Sequence, residues 1–156
     1  MSRFFPDMRV IVTIRDPRDI FLSMFHKRDR LEERGKKWHD PATLAADLNA
    51  EFPRILDLIS RHEHLIIRYE DLVTDHAVLD TVLRFAGIRG DGKSLLGRTS
   101  AFNRDKHGEE IRSPRVALWK SEPTGEGMDL AMRFQALVPN YADFHASHMS
   151  RGAGAG

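Results

Sequence analysis

Five consecutive apolar or β-branched residues near the start of the chain constrain the fold more than any other stretch. The run extends from Val10 to Ile14, and a continuous apolar run of this length is typical of a strand buried on both faces of a parallel sheet. The run stops at Arg15. Asp16 can then cap a helix and Pro17 can occupy its first position, where a missing N–H is no loss. The stretch therefore predicts a strand, a tight turn and a helix.

Positive charge is concentrated at this predicted turn. Arg15 and Arg18 lie on either side of the helix start, and open α/β sheets place their ligands at the carboxyl ends of the strands. Two guanidinium groups beside a helix N-terminus favour an anion. We therefore expect a phosphate to bind at this turn.

The same segment resembles a known nucleotide-binding motif. Residues Arg15 to Asp19 have the sequence Arg-Asp-Pro-Arg-Asp and are followed by Ser23. This pattern is similar to the 3'-phosphate-binding segment of the P-loop sulfotransferases, which use 3'-phosphoadenosine 5'-phosphosulfate (PAPS). The resemblance implies that Arg15 and Ser23 hold the 3'-phosphate. In the other interpretation, Arg15 only pairs with Asp16 or Asp19, and Ser23 packs within the helix.

A second apolar run, His64 to Arg68, is followed by the sequence Tyr-Glu-Asp-Leu, which begins at Tyr69. This segment resembles a part of the same family in which a Tyr contacts the adenine and an acidic pair stabilises the turn. The resemblance implies that Tyr69 contacts the adenine of the nucleotide. The alternative is a Tyr that closes the core at the end of a strand.

The two apolar runs predict parallel strands joined by a right-handed helical crossover. Three stretches predicted to be helical, residues 17–34, 41–60 and 75–86, would cover these strands. Pro53 predicts either a kink in the second helix or two shorter helices that abut. The fold class expected is α/β, as a partial P-loop-type three-layer α/β/α arrangement whose short parallel sheet has about two strands and is covered by helices.

Local signals mark the ends of the third predicted helix. Thr74 or Asp75 is expected to cap its start, and Gly87 is expected to end it. Residues 89–116 contain four glycines among many charged residues and predict a long irregular loop. Loops of this length are usually functional or disordered.

Two positions within residues 89–116 extend the resemblance. Thr99 begins a segment similar to the family's Thr-Ser-Phe segment beside the adenine, and Arg112 lies seven residues before a Trp-Lys pair, as does the Arg of the family's Arg-Lys-Gly loop. The resemblance implies that Thr99 lies beside the adenine and that Arg112 closes over the 3'-phosphate. Ser113 and Pro114 stand where that loop has Lys and Gly, which is a departure from the family pattern.

The family also has a Lys-Ser-Gly-Thr-Thr-like P-loop for the 5'-phosphosulfate and a catalytic His or Glu upstream of the Arg segment. Neither is recognisable in this sequence. The Gly-Lys-Ser at residues 92–94 is not interpreted as a P-loop, because it lacks the glycine pattern and a preceding strand. The resemblance spans about residues 8–148 and covers the back half of such an enzyme. We expect residues 1–150 to form a truncated sulfotransferase-like domain and residues 151–156 a flexible tail, and the sequence does not identify the catalytic residues.

Composition excludes several other kinds of site. The 156 residues include no cysteine, which excludes disulfides, thiolate catalysis and Cys-ligated zinc and is compatible with a cytoplasmic location. A net charge of +1 does not suggest sequence-independent nucleic-acid binding. No apolar window is long enough for a membrane span. The histidine pairs lack a third ligand, so no metal site is predicted.

The resemblance implies sulfuryl transfer from PAPS to a hydroxyl or amine acceptor, with 3',5'-ADP (PAP) as the nucleotide product. The front half of the enzyme would be missing or supplied by another chain. One alternative is a non-catalytic relic that binds nucleotide or a protein partner. Another, outside the family, is an α/β module that recognises a different phosphorylated ligand through Arg15. The short sheet would leave an exposed edge, which a homodimer would cover.

Overall fold

The computed structural model of the protein describes residues 8–35, 39–95, 116–121 and 124–148. These residues form two compact units. The first contains the described residues of Met1–Ile14 and His62–Val116, and the second contains those of Arg15–Arg61 and Ala117–Gly156. The chain therefore leaves the first unit where the first strand ends.

The first unit contains a two-stranded parallel sheet. Strand β1 (Arg9–Ile14) pairs with strand β2 (Glu63–Arg68) in a register that places Ile14 opposite Arg68. Parallel neighbours cannot be joined by a tight turn, and the chain between them is mostly helical. The predicted α/β class and the parallel pairing are confirmed, whereas the handedness of the crossover stays a prediction.

The prediction that β1 is buried on both faces is wrong for its central residues. Successive side chains of a strand point to opposite faces, and exposure along β1 alternates accordingly. Val10 and Val12 are partly buried and Ile14 is 2% exposed, whereas Ile11 is 41% exposed. The apolar run therefore serves one covered face of the sheet, and the β-branched residues on its other face reflect strand propensity rather than burial.

Three helices follow β2 in the first unit: α4 (Tyr69–Leu72), α5 (His76–Phe85) and α6 (Gly92–Leu95), numbered after the three that precede β2 in the chain. Asp75 caps α5 as predicted, because its side chain accepts a hydrogen bond from the N–H of Ala77 at 2.8 Å. Gly87 ends α5 with a φ of 70°, and the next N–H, of Ile88, bonds to the Leu83 carbonyl at 2.9 Å. The predicted start and end of this helix are therefore confirmed.

Helix α6 lies in a stretch that we predicted to be irregular, so that prediction is wrong for Gly92–Leu95. The N–H of Gly92 donates to Oδ1 of Asp80 on α5 at 2.6 Å. A Cβ at Gly92 would lie 2.3 Å from the carbonyl oxygen of His76. The glycine of this Gly-Lys-Ser sequence therefore permits close packing on α5.

The second unit is built from helices α1 (Pro17–Phe25), α2 (Arg28–Glu33), α3 (Pro41–Arg61), α7 (Leu118–Ser121), α8 (Glu126–Leu137) and α9 (Pro139–Ser147). The helix predicted over residues 17–34 is two helices, because the chain turns at His26 and Lys27. Helix α3 continues through Pro53 as a single element. The alternative of two abutting helices is therefore wrong.

A cluster of apolar side chains from α1, α3, α8 and α9 forms the core of the second unit. Phe21 of α1 is fully buried, and its ring centroid lies 5.6 Å from that of Phe134 of α8. The rings of Phe52 and Tyr141 pack edge to face, with their centroids 5.4 Å apart. The remaining buried members are Leu22, Ala45, Ala131 and Val138. Burial of this apolar area is the main term that stabilises the unit.

Within the described parts of the chain, none of the helices combines the length and the apolar character needed to cross a membrane.

Candidate functional site

The turn from β1 to α1 is organised by Asp16, which caps the helix as predicted. Its Oδ1 accepts a hydrogen bond from the backbone N–H of Arg18 at 2.9 Å, and Pro17 occupies the first helical position. The same carboxylate also receives the guanidinium of Arg18, with Nε 2.9 Å from Oδ1 and Nη2 2.6 Å from Oδ2. This paired geometry is the strongest form of an arginine-carboxylate contact.

Arg18 is held from a second direction by Trp119. The carbon at the centre of the Arg18 guanidinium lies 3.5 Å from the centroid of the indole ring, which is within the range of a cation-π contact. Asp16 therefore takes the donor edge of the guanidinium and Trp119 takes its flat face. This arrangement makes Arg18 a structural link between the start of α1 and α7.

The guanidinium of Arg15 lies near Asp19, one helical turn further on. Nη2 of Arg15 is 3.9 Å from Oδ2 of Asp19, and the Arg15 side chain is 15% exposed. This distance is too long for a hydrogen bond between the two groups, although their charges attract. Arg15 therefore does pair with Asp19, as in the alternative interpretation, but this is a loose ion pair without a hydrogen bond.

Asp19 itself is fully buried in the second unit. Its Oδ1 accepts a hydrogen bond from the backbone N–H of Trp119 at 3.2 Å, while its Oδ2 is buried without a hydrogen bond to the described residues. Burial raises the pKa of Asp19, and the opposing influences are the backbone N–H groups of Trp119 and Ala117 and the charge of Arg15. A partly compensated carboxylate therefore lies beside the candidate phosphate ligand Arg15.

The backbone of Arg15 is fixed by a residue that the sequence did not indicate. The hydroxyl of Tyr141 accepts a hydrogen bond from the N–H of Arg15 at 3.1 Å and donates one to its carbonyl oxygen at 3.1 Å. Tyr141 lies 126 residues further along the chain. The one local signal was an aromatic residue near the start of a short helix, and that signal does not identify its partner.

The other predicted site residues are distributed over both units and beyond the described residues. Ser23 lies on α1, partly buried, in the same unit as Arg15. Tyr69 is the first residue of α4 in the other unit and is partly buried. Thr99 and Arg112 lie outside the described residues, and their predicted roles stay predictions. The structure therefore brings Arg15 and Ser23 into one compact unit, together with Asp19 and Trp119.

The acidic pair that follows Tyr69 pairs with the arginine that precedes it. Nε of Arg68 lies 3.8 Å from Oε2 of Glu70, and Nη1 lies 3.6 Å from Oδ2 of Asp71. Thr74 donates its hydroxyl hydrogen to the carbonyl oxygen of Glu70 at 2.6 Å. Both ion pairs are longer than a hydrogen bond, and the stabilising role that the resemblance implies for the acidic pair stays a prediction.

The described residues contain no group of three or more His, Cys, Asp or Glu side chains suited to a metal ion.

Comparison with known proteins identifies the family of the chain. No curated protein and no solved structure gives a significant match to the chain. The sequence model of the sulfotransferase family matches residues 1–91, more than half of the 156 residues. This match includes Arg15, Ser23 and Tyr69, and the chain therefore belongs to the sulfotransferase family.

Proposed function

We propose that the turn from β1 to α1 binds the 3'-phosphate of PAPS in a sulfuryl transfer to a hydroxyl or amine acceptor. Arg15 is the principal ligand in this proposal, and Ser23 supplies a hydroxyl donor. The observation that carries it is the position of the Arg15 guanidinium, which is partly exposed at the carboxyl end of a parallel strand. Ligands of open α/β sheets bind at this end of the strands.

The contact between Arg15 and Asp19 is compatible with an incoming phosphate. At 3.9 Å the two groups share no hydrogen bond, so a phosphate would not have to break one between them. A phosphate offers oxygens that match the guanidinium fork and carries more negative charge than a carboxylate. We expect the guanidinium to pair with the 3'-phosphate while its backbone stays in place.

The adenine side of the proposed site rests on the family resemblance. Tyr69 would contact the adenine with its ring face or hydroxyl, Thr99 would lie beside the base, and Arg112 would add a second cation at the 3'-phosphate. Tyr69 lies within the segment matched by the family model, whereas Thr99 and Arg112 follow it.

We propose that these residues orient the cosubstrate. Bound PAPS would supply the activated sulfuryl group, and the groups assigned here grip the far end of the nucleotide. Holding a reactant in the correct geometry is itself a large part of catalysis. We assign no general base and no ligand of the 5'-phosphosulfate among the described residues. A non-catalytic nucleotide-binding role is the second candidate, and it shares the same site.

Calorimetry with two nucleotides tests the binding proposal. The purified chain should bind 3',5'-ADP more tightly than 5'-AMP, since only the former carries a 3'-phosphate. Arg15→Ala should weaken the binding of 3',5'-ADP by about tenfold to a hundredfold, the loss of a charge-assisted contact, and should leave the binding of 5'-AMP unchanged.

The control for this substitution is Arg54→Ala. Arg54 lies on α3, its side chain is 74% exposed, and it pairs with Glu51, so its removal should leave the affinity for both nucleotides unchanged. Equal affinities of the unsubstituted chain for the two nucleotides would contradict the proposal. An equal effect of Arg15→Ala and Arg54→Ala would contradict the assignment of Arg15.

A further inference from the structure

We infer that Tyr141 is a positioning residue that fixes Arg15 for the 3'-phosphate; this inference rests on the proposed function. Within the described residues, the Tyr141 hydroxyl forms hydrogen bonds with both backbone polar groups of Arg15. It accepts from the N–H at 3.1 Å and donates to the carbonyl oxygen at 3.1 Å. One side-chain atom thus restrains the residue on both sides of its Cα.

The restrained residue lies where the backbone passes from strand to helix. Ile14 is the last residue of β1, and Asp16 is the N-cap of α1, so Arg15 belongs to neither element. Its N–H and carbonyl groups are partly buried, and buried backbone groups need partners. The Tyr141 hydroxyl satisfies both groups and sets the point from which the Arg15 side chain extends.

Tyr141 is itself held firmly by the core of the second unit. It is 6% exposed, and its ring meets the ring of Phe52 edge to face at 5.4 Å. It follows Pro139, which begins α9, and the fully buried Val138 precedes that proline. The position of the hydroxyl is therefore set by side-chain packing on α3 and α9 and is not adjusted by solvent.

Loss of the Tyr141 hydroxyl should weaken the binding of ligands that carry a 3'-phosphate and not of those that lack one. Without the hydroxyl the Tyr141 ring can keep its packing, but the backbone of Arg15 loses two restraints. A guanidinium that is less well placed loses contacts with the 3'-phosphate, whereas the base and ribose are recognised elsewhere in the proposed site. We therefore expect a loss confined to ligands that carry a 3'-phosphate, which a purely structural role of Tyr141 would not produce.

The test compares Tyr141→Phe with Asn49→Ala in the full chain. Asn49 donates one hydrogen bond to the Leu137 carbonyl at 2.9 Å in the same unit, so its removal is a loss of similar kind away from Arg15. Amide hydrogen exchange at Arg15, measured by NMR, reports the restraint, and calorimetry with 3',5'-ADP and 5'-AMP reports its effect on binding. Thermal unfolding of each variant confirms that it is folded.

The expected result is faster exchange at the Arg15 amide and about tenfold weaker binding of 3',5'-ADP in Tyr141→Phe, the effect of one to two lost hydrogen bonds. The affinity for 5'-AMP should be unchanged, and Asn49→Ala should change neither quantity. Unchanged exchange at Arg15, or a 3',5'-ADP affinity equal to that of the unsubstituted chain, would overturn the inference. If the unsubstituted chain shows no preference for 3',5'-ADP, the proposed function fails, and the inferred ligand role of Tyr141 fails with it.

Discussion

The buried carboxylate of Asp19 on α1 accepts a hydrogen bond from the backbone N–H of Trp119 on α7, at 3.2 Å, and joins two segments separated by 100 residues. The indole of the same Trp119 lies over the guanidinium of Arg18. The start of α1 is therefore tied to α7 through a main-chain contact and a side-chain contact.

The first prediction concerns the pH dependence of stability. Burial raises the pKa of Asp19 above its usual value of 3.8. The stability due to its protonated form is present below that value and is lost as the pH rises through the pKa of the folded state. Asp19→Asn keeps an oxygen for the Trp119 N–H and cannot ionise. The free energy of unfolding of the variant, minus that of the unsubstituted chain, should therefore increase as the pH rises from 3.

Urea unfolding at a series of pH values between 3 and 7 measures this difference. Asp40 provides the internal reference, because hydrogen bonds from Thr43 lower its pKa and it titrates in both proteins. Stability curves that stay parallel over the whole range would show that Asp19 does not titrate with a raised pKa.

The second prediction concerns the contact between Arg18 and Trp119. A double-mutant cycle with Arg18→Ala and Trp119→Leu should give a coupling energy of about 0.5–2 kcal/mol, the range for a partly desolvated cation-π pair. The comparison cycle uses Lys120→Ala with Trp119→Leu, since Nζ of the exposed Lys120 lies 5.5 Å from the same ring. A coupling for Arg18 no larger than that for Lys120 would refute the structural link assigned to Arg18.

The third prediction concerns the core of the second unit. Phe134 is 1% exposed and packs against Phe21, so Phe134→Ala should lower the free energy of unfolding by about 3–5 kcal/mol. Met132 lies on the same helix and is 49% exposed, and Met132→Ala should change it by less than about 0.5 kcal/mol. Chemical denaturation of both variants makes the comparison. Similar losses for both would contradict the packing described for α8.

Local rules predicted those parts of the fold that nearby residues determine. Asp16 with Pro17 and Asp75 with Gly87 marked helix ends correctly, because caps depend on residues within one turn. The sequence did not predict the end of α1 at Phe25, because the charged residues that begin at Lys27 contain no local signal that ends a helix. The helical turn at Gly92 was missed as well, because it forms against the backbone of α5, which a local pattern does not contain.

The sequence predicted only those members of the candidate site that belong to a short motif. Arg15 and Ser23 belong to a short motif. The side chain of Arg18, however, is held by Trp119, and the backbone of Arg15 is held by Tyr141. Both partners lie more than 100 residues away in the chain. Tertiary contacts of this kind are not visible in a local sequence pattern.

The fourth prediction concerns transfer activity. The 156 residues contain no Lys-Ser-Gly-Thr-Thr-like sequence, and the residues that we assign orient the cosubstrate without contacting the bond that breaks. Donors at the developing charge contribute much of the catalysis in such transfers. The purified chain incubated with labelled PAPS and a panel of hydroxyl and amine acceptors should therefore show no multiple turnovers. Turnover that Arg15→Ala abolishes would contradict this prediction and would identify the chain as a complete catalyst.

The central claim is that Arg15 recognises a phosphate by its position on the ribose, and a pair of isomers tests it most directly. The molecules 3',5'-ADP and 2',5'-ADP have the same atoms and the same charge, so general electrostatic attraction does not distinguish them. Calorimetry should show that the chain binds 3',5'-ADP at least about tenfold more tightly, the contribution of one well-placed charge-assisted contact. Arg15→Ala should remove that difference. Equal affinities for the two isomers in the unsubstituted chain would contradict the account.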